Sequence, residues 1–357
     1  MRILFNVAHP AQVHLFRNAL QTLMDHGHEC RITAINKEVS LKLLDSFGFD
    51  YDAIGRARPT PFGKGLELLR IDAKLLQIAR SFHPDLLVGG VGNAYVAHVG
   101  KLIRKPSIIF DDTEHAAIQH HLTDPFVSAI CTPSCYTKDL GEKQVRYNGY
   151  HELAYLHPNR FTPNPDVLTE LDLAEGDPFT IVRFVSWQAS HDVGQHGIRN
   201  KVGLVKALEE YGRVLITSEG ALPPELQPYQ IRVSPEKLHD LLYYATLYVG
   251  EGGTTASEAA VLGTPSIYVS SLVGTMGNFI ELEETYDLLY SFTDGGAALD
   301  KAVEILQDPK SKDKWRIKRD RLLTDKIDVT EFMVWFVENY PESFTEMREH
   351  LEVQSKF

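Results

Sequence analysis

Residues 248–267 read YVGEGGTTASEAAVLGTPSI, and this stretch decides the fold. An apolar strand ends at Val249, and three of the next four residues are glycines, which permit a tight turn and a close approach of the backbone to a ligand. A helix is predicted for 255–262, because small apolar residues follow the turn and Gly263 ends the run. The stretch therefore indicates the strand–turn–helix unit of an α/β protein.

The start of this helix has the features of a diphosphate-binding turn. Free backbone N–H groups and the positive end of the helix dipole converge there, so the turn is able to hold a diphosphate without a lysine. Glu258, in the next turn, is placed to accept hydrogen bonds from a ribose diol. An ordinary turn with a threonine N-cap is the alternative, and a P-loop is excluded because its Gly-Lys-Ser/Thr ending is missing. The residues predicted to bind the diphosphate are Gly252, Gly253, Thr254 and Thr255.

Strand and helix patterns alternate along the rest of the chain. Short, continuously apolar runs predict strands buried on both faces of a parallel sheet, with helically spaced apolar residues between them. The predicted strands are 3–7, 29–35, 86–88, 106–110, 179–184, 214–217, 247–249 and 266–269. The predicted helices are 11–25, 41–47, 66–82, 94–103, 203–211, 235–245 and 255–262, with a helical C-terminal stretch over 329–351. The alternation predicts an α/β fold with right-handed, doubly wound parallel sheets.

A break divides this pattern into two similar halves. Residues 155–165 contain three prolines and little periodicity, which is typical of a linker. The prediction is a Rossmann-like domain over residues 1–157, a second one over 158–335, and a helical segment over 336–357 that packs back on the first domain. A cleft is expected between the two domains.

The composition excludes several classes of protein. Of the 357 residues, 43% are hydrophobic and 24% are charged, which excludes collagen-like, disordered and disulfide-scaffold proteins. The net charge of −12 disfavours binding to a nucleic-acid backbone. The three cysteines complete neither a disulfide framework nor a zinc site, so no metal is predicted. The N-terminus is typical of a strand rather than a signal peptide, and no stretch approaches the ~18 apolar residues of a membrane span.

Residues 248–267 resemble the donor-binding motif of GT-B glycosyltransferases and of the related non-hydrolysing UDP-N-acetylglucosamine 2-epimerases. The chain as a whole is most similar to a prokaryotic family of unassigned function in that superfamily. The resemblance implies a GT-B-like fold, in which two Rossmann-like domains face a central cleft. It also implies that Glu258 binds the ribose and that residues 252–255 bind the diphosphate of a nucleotide sugar, with a UDP-sugar favoured.

Three residues are candidates for acid–base chemistry. Residues 110–115 read FDDTEH and follow a predicted strand, as does an epimerase motif that carries an acid/base glutamate. Glu114 aligns with that glutamate, and Asp112 is the second candidate for a general base. His14, in the first turn of the first helix, matches a cleft-facing histidine that recurs among glycosyltransferases of this type. The alternatives are helix-capping acids, and a histidine that points into solvent or hydrogen-bonds a neighbour.

One departure from the pattern argues against an epimerase. After the strand at 86–88 the epimerases have Gly-Asp-Thr, whose aspartate is used in catalysis, whereas this chain has Gly90-Val91-Gly92. Removal of a C2 proton and elimination of the nucleotide need several placed acid–base groups, and one of them is missing here.

Further donor-binding residues are expected at strand ends of the second half. Arg183 is placed as a fixed cation that stabilises a leaving diphosphate, with Ser186 on the same oxygens. A salt-bridged Arg183 in a plain polar loop is the alternative. Ser218 follows the predicted strand 214–217, and ligands bind at such strand ends in open α/β sheets. The resemblance places the nucleobase near Val233, through backbone groups, and the donor sugar near Asn278.

Together these features predict a metal-independent glycosyltransferase that moves a sugar from a nucleotide-diphosphate sugar to an acceptor hydroxyl. The donor is expected on the C-terminal domain, and the acceptor, a lipid-linked molecule or a glycan, on the N-terminal domain. No cofactor, nucleic-acid partner or transmembrane segment is predicted, and the expected location is the cytoplasm or the inner membrane surface. Two alternatives stay open: a nucleotide-sugar 2-epimerase or hydrolase, and a non-catalytic nucleotide-sugar-binding protein.

Overall fold

The structure, a computed structural model, describes residues 1–37, 39–56, 60–185 and 197–357, without the side chains of Pro61, Phe62 and Lys64. The chain divides into two compact units. Unit 1 comprises Met1–Arg160 and Ile327–Phe357, and unit 2 comprises Phe161–Lys326. The chain therefore changes unit at 160/161 and 326/327, where the sequence analysis placed boundaries at 157/158 and 335/336.

The first part of unit 1 is a parallel sheet flanked by helices. Its strands are β1 (Arg2–Val7), β2 (Glu29–Asn36), β3 (Asp52–Arg56), β4 (Leu86–Gly90), β5 (Ser107–Phe110), β6 (Ala129–Pro133) and β7 (Gln144–Tyr147). Its helices are α1 (Pro10–Asp25), α2 (Ser40–Ser46), α3 (Pro61–Phe82), α4 (Ala94–Ile103), α5 (Ala117–Thr123) and α6 (Leu153–Leu156). The strand order is β3-β2-β1-β4-β5-β6-β7, and each neighbouring pair is parallel.

Unit 2 repeats this architecture with fewer strands. Its strands are β8 (Phe179–Phe184), β9 (Arg213–Ser218), β10 (Leu247–Gly250), β11 (Ser266–Val269) and β12 (Leu289–Phe292). Its helices within the described ranges are α7 (Asp166–Thr169), α8 (Lys201–Glu209), α9 (Leu238–Tyr244), α10 (Gly253–Leu262), α11 (Gly277–Glu284), α12 (Gly295–Gln307) and α13 (Ser311–Asp325). The strand order is β12-β11-β10-β8-β9, again with parallel pairs.

The C-terminal helices complete the core of unit 1. They are α14 (Val329–Glu338) and α15 (Glu342–Glu349). The ring of Phe332 stacks on Tyr147 with 5.1 Å between ring centroids, and the Thr330 hydroxyl donates to the Ala154 carbonyl at 2.6 Å. A side chain at Gly149 would collide with Val329, because an added Cβ would lie 2.5 Å from its Cγ2.

The buried strands explain the fold. In β1, Ile3, Phe5 and Val7 are fully buried, as expected for a parallel strand covered by helices on both faces. The α/β prediction with two parallel sheets is confirmed. No helix among the described residues combines the length and apolar content that a membrane span requires.

Each sheet has a point at which the chain reverses its direction of strand addition. In unit 1 this point lies between β1 and β4, and in unit 2 it lies between β8 and β10. Ligands of open α/β sheets bind beyond the carboxyl ends of the strands at such points. The loops after these four strands are therefore where a binding site is expected in each unit.

Candidate functional site

The glycine-rich turn after β10 opens α10 in the way the sequence predicts. Gly252 is the N-cap, and no side chain caps this helix among the described residues. The first helical bond joins the Ala256 amide to the Gly252 carbonyl (3.1 Å), so the amides of residues 253–255 precede it. Thr254 is exposed. The threonine N-cap alternative is wrong, and the turn presents backbone donors at the positive end of a helix dipole.

Arg183 lies beside this turn. It is the β8 residue paired with Gly250 of β10, so it stands at the reversal point of the unit 2 sheet. A Cβ added to Gly252 would lie 3.1 Å from both Cδ and Nε of Arg183. The guanidinium Nη2 donates to Glu219 Oε1 at 2.9 Å, and the side chain is 24% exposed. The structure thus contains the predicted cation next to the turn and also the salt bridge of the alternative.

Glu251 is a buried carboxylate in the same turn that the sequence analysis did not select. Its Oε2 accepts from the Val185 amide at 2.9 Å, and its Oε1 accepts from the Ile198 amide at 2.8 Å. The Lys201 ammonium lies 3.7 Å from Oε2. Glu251 therefore fixes the two ends of the connection between β8 and α8 onto the turn before α10. A carboxylate inside a glycine-rich turn was the sequence signal for this role.

Glu258, the predicted ribose ligand, is 4% exposed and has a protein partner. Its Oε1 lies 2.9 Å from Nε2 of His239 on α9, which is itself 2% exposed. Helix geometry puts Glu258 on the same face as Thr254, with its side chain directed toward the start of α10. His239 was missed, because nothing in the local sequence links a histidine to a glutamate 19 residues away.

Two other predicted donor-binding residues, Ser218 and Asn278, lie near the same end of the unit 2 sheet. Ser218 ends β9, and its hydroxyl donates to the Gly220 carbonyl at 2.9 Å. Asn278 is the second residue of α11, and its Oδ1 accepts from the Phe279 amide at 3.0 Å. The Phe279 ring lies 3.4 Å from a Cβ built on Gly253, so α11 packs beside the turn that begins α10.

The other two predicted donor-binding positions are Val233, before α9, and Ser186, after β8. Val233 is half-buried in an irregular segment before α9. Ser186 lies outside the described residues, so its role stays a prediction from the sequence.

In unit 1, Asp112 follows β5 and is paired with a histidine from the loop after β7. The His151 Nδ1 and Asp112 Oδ2 atoms are 3.0 Å apart, and the Asp112 side chain is 22% exposed. Burial acts to lower the pKa of His151, but the Asp112 carboxylate outweighs it and the pKa is raised. Burial acts to raise the pKa of Asp112, but His151 outweighs it and the pKa is lowered. The pairing therefore favours the protonated form of His151 and the ionised form of Asp112.

Glu114, the other carboxylate candidate, is more enclosed than Asp112. It is 2% exposed, and its Oε1 accepts from the Thr137 amide at 3.2 Å. The Lys138 ammonium donates to the Glu114 carbonyl at 2.6 Å. These contacts hold residues 111–116 against the loop that follows β6, so Glu114 shapes the loop on which Asp112 stands.

Asp111, the sequence neighbour of Asp112, is paired with a second histidine, His120. Its Oδ2 lies 3.5 Å from the His120 Nε2, and the Tyr136 hydroxyl lies 3.1 Å from the same nitrogen. Burial raises the pKa of Asp111 to about 7, and the nearby His120 acts against that shift. Asp111 was not among the predicted site residues, although its sequence neighbour Asp112 was.

His14, the third acid–base candidate, lies in α1 and is 7% exposed. Its ring packs against Tyr155 and Phe47, with centroid distances of 5.3 and 5.8 Å. The alternative of a solvent-facing histidine is therefore wrong. The ring is thus packed among aromatic side chains of unit 1, and an acid–base role for His14 stays a prediction from the sequence.

The reversal point of unit 1 is bridged by an amide side chain. Gln12 Oε1 accepts from the Ala8 amide at 2.8 Å, and Gln12 Nε2 donates to the Val91 carbonyl at 2.9 Å. Asn93 Nδ2 donates to the same Gln12 oxygen at 3.1 Å. A side chain at Gly90 would collide with this amide, because its Cβ would lie 2.5 Å from Gln12 Nε2. Val91 thus lies in a loop that Gln12 of α1 ties to the residue after β1.

Two solved structures of similar fold are a UDP-GlcNAc 2-epimerase and a glycosyltransferase. The UDP-GlcNAc 2-epimerase of Methanocaldococcus jannaschii matches with a TM-score of 0.62 at 14% identity, over 91% of this chain and 99% of that one. SsfS6, a glycosyltransferase of Streptomyces sp. SF2575, matches with a TM-score of 0.61 at 14% identity, over 95% and 100% of the two chains. These likenesses confirm the GT-B-like fold.

Sequence comparison gives the family. The uncharacterized protein MJ0665 of Methanocaldococcus jannaschii is 23% identical over 287 residues, which are 75% of this chain and 82% of that protein. The profile of a family described as "Protein of unknown function (DUF354)" matches residues 1–340. That match spans nearly the whole chain, and the protein therefore belongs to the DUF354 family, as the resemblance to a prokaryotic family of unassigned function had indicated.

Proposed function

We propose that this protein is a glycosyltransferase that uses a nucleotide-diphosphate sugar as donor and does not require a metal ion. One observation carries the proposal: Arg183 lies against Gly252, at the start of α10 and at the reversal point of the unit 2 sheet. A backbone anion site and a permanent cation meet there, which is the combination that a diphosphate leaving group requires.

The donor is proposed to bind with its diphosphate on residues 252–255 and Arg183. The helix dipole and the guanidinium both stabilise negative charge, and this charge grows on the diphosphate as the glycosidic bond to the nucleotide breaks. Glu258 would accept hydrogen bonds from the ribose. A UDP-sugar is favoured because one enzyme of similar fold is named for UDP-GlcNAc.

The acceptor hydroxyl is proposed to be deprotonated by Asp112. Of the two carboxylate candidates, Asp112 is the accessible one, since Glu114 is almost fully buried. As the acceptor oxygen forms its bond to the anomeric carbon, Asp112 takes the hydroxyl proton, and the bond from that carbon to the diphosphate breaks. The departing electron pair goes to the diphosphate. His151 keeps Asp112 ionised, because their pairing lowers the pKa of the carboxyl group.

A 2-epimerase or hydrolase acting on the same donor is the second candidate. The similar fold of an epimerase and the position of Glu114 after β5 favour it. Val91 argues against it, because the loop after β4 carries no carboxylate where the epimerase pattern has one. A non-catalytic nucleotide-sugar-binding protein is the third candidate, and it requires only the unit 2 site.

Two measurements separate the three candidates. Thermal shifts with UDP, GDP, CDP, ADP and dTDP identify the base, because a ligand bound to the folded state raises the melting temperature. The nucleotide sugar of that base is then incubated with the protein alone and with a panel of acceptors. Turnover that needs an acceptor supports the transferase, and conversion without one supports the epimerase or hydrolase. Binding without any turnover supports the binding protein.

We further propose that the acceptor is lipid-linked and is met at the surface of an anionic membrane. Unit 1 exposes apolar side chains on three adjacent helices and in the loop after them, and this group is called the apolar surface: Leu69, Leu102, Ile118, Leu122 and Phe126. His98 of α4 joins the elements that carry it, because it pairs with Asp72 of α3 at 3.0 Å and packs against the Phe126 ring at 5.1 Å.

Charge favours a membrane as the occupant of the apolar surface. Exposed cations flank it at Arg70, Lys101 and Arg104, and such residues attract anionic lipid headgroups. We expect the protein to float with vesicles that contain phosphatidylglycerol, and Leu102→Glu and Ile118→Glu to reduce the bound fraction. Ile317→Glu, which changes an equally exposed apolar residue of unit 2, is the control. Equal binding by all variants would remove the membrane proposal and leave the transferase proposal intact.

A further inference from the structure

We propose that His239 is a positioning residue that makes the nucleotide site select ribonucleotides over 2′-deoxyribonucleotides. The inference rests on the proposed function, in which Glu258 receives the ribose. Neither the sequence pattern nor the comparisons give His239 a role. Its proposed role specifies which class of nucleoside diphosphate the site accepts.

The pair of His239 and Glu258 is enclosed by protein. His239 Nε2 and Glu258 Oε1 are 2.9 Å apart, and both side chains are at most 5% exposed. The Phe161 ring meets the His239 ring edge-on at 6.4 Å. Because the imidazole has little room to turn, its nitrogen holds one carboxylate oxygen of Glu258 in a fixed position.

The two helices that carry the pair are themselves firmly placed. Leu241 and Leu242 of α9 are fully buried, and the Thr264 hydroxyl, just after α10, donates to the Leu242 carbonyl at 2.7 Å. A contact between fixed helices gives the carboxylate one orientation. A glutamate on an exposed helix would instead lose rotamer freedom each time a ligand bound.

A fixed carboxylate discriminates between sugars by the number of hydroxyl donors that they present. A ribose diol offers two O–H donors, and a 2′-deoxyribose offers one. When the second donor is missing, a buried acceptor loses its hydrogen bond, and this loss costs more than the same loss at an exposed carboxylate. An unfixed Glu258 would turn toward the remaining hydroxyl or toward water, and the selectivity would fall.

The test compares four ribonucleoside diphosphates, UDP, GDP, CDP and ADP, each with its 2′-deoxy form. Dissociation constants are measured by calorimetry for the wild-type protein and for His239→Phe, His239→Gln and Tyr243→Phe. Tyr243 lies on the same helix and serves as the control. We expect the wild-type protein and the control to bind the preferred ribonucleotide about tenfold or more tightly than its deoxy form.

His239→Phe keeps a buried ring and removes the donor, so we expect the ratio of the two dissociation constants to fall toward one. His239→Gln keeps an N–H donor and is expected to restore part of the ratio. An equal loss of affinity for both nucleotides would make His239 a purely structural residue and overturn the inference. A wild-type ratio of one would overturn it while the proposed function stands. Absence of all nucleotide binding would overturn both.

Discussion

Arg183 packs so closely on Gly252 that a side chain at position 252 would require the arginine to shift, since a Cβ there would lie 3.1 Å from its Cδ and Nε. The same guanidinium donates to Glu219 Oε1 at 2.9 Å. The cation at the start of α10 is thus held by a carboxylate of the protein, and an incoming diphosphate would compete with that carboxylate.

Arg183→Gln should weaken UDP binding by about 10–100-fold, the range expected for a charged hydrogen bond. Binding of uridine, which has no phosphate, should not change. Glu219→Gln should have the opposite effect on UDP, because it frees the guanidinium. Calorimetry with UDP and uridine measures both effects, and a parallel loss for the two ligands would show that Arg183 supports the fold and not the diphosphate.

Asp112→Asn should lower the rate of sugar transfer by about 10²–10⁴-fold, the usual contribution of a general base. Its affinity for UDP should be unchanged, because Asp112 is in unit 1 and the proposed nucleotide site is in unit 2. Glu114→Gln is the comparison: it should reduce the rate less, since Glu114 is enclosed and shapes the loop. Weaker UDP binding in Asp112→Asn would point to a structural role.

The His151–Asp112 pair should make stability depend on pH. The pKa of His151 is raised in the folded protein above its unfolded value of about 6.5, so its stabilisation is complete below that value and is lost as pH rises through the folded pKa. The melting temperature should therefore fall as the pH rises from about 6.5 through the folded pKa of His151, and His151→Gln should show a smaller fall. Identical pH profiles for the two proteins would contradict this assignment.

Glu251→Ala should destabilise the protein by about 2–5 kcal/mol, because it leaves the Val185 and Ile198 amides without their buried acceptor. Glu251→Gln should cost less, since its amide oxygen still accepts from one of the two. Urea unfolding gives both values. Equal stability of the alanine variant and the wild-type protein would mean that water replaces the carboxylate.

Transfer should continue when divalent cations are removed. The proposed leaving-group stabilisation comes from the α10 amides and Arg183, which are part of the chain. The rate in excess EDTA should match the rate in magnesium. A rate that collapses in EDTA and returns with magnesium would show that the helix and the arginine are insufficient.

The sequence predicted the interior of the sheets better than their edges. The bounds of α4, β8 and β11 agree with the predicted 94–103, 179–184 and 266–269. The strands β3, β7 and β12 were missed, and each is at an edge of its sheet. An edge strand is covered on fewer sides, so β7 alternates half-buried and buried residues and lacks a continuous apolar run. The interior strand β6 was missed as well, since it is short and ends in a proline.

In the candidate site, the sequence predicted residues that are neighbours in the chain and missed contacts between distant residues. Residues 252–255 and Glu258 were predicted because they are neighbours in the chain and form one motif. Contacts of Glu251, His239 and Gln12 join residues 66, 19 and 79 positions apart, and only the folded sheet brings those partners together. The pattern of a single sequence does not show which distant residues are in contact.

Because α14 returns to unit 1, the order of synthesis and the order of folding differ. Phe332, whose ring stacks on Tyr147, is synthesised only after all of unit 2. A nascent chain that ends at Lys326 therefore carries a complete second unit, together with a first unit in which the residues that α14 covers are still exposed to water. Domains usually finish folding from the N-terminus onward, and in this chain the later-made unit is the first that is able to close its core.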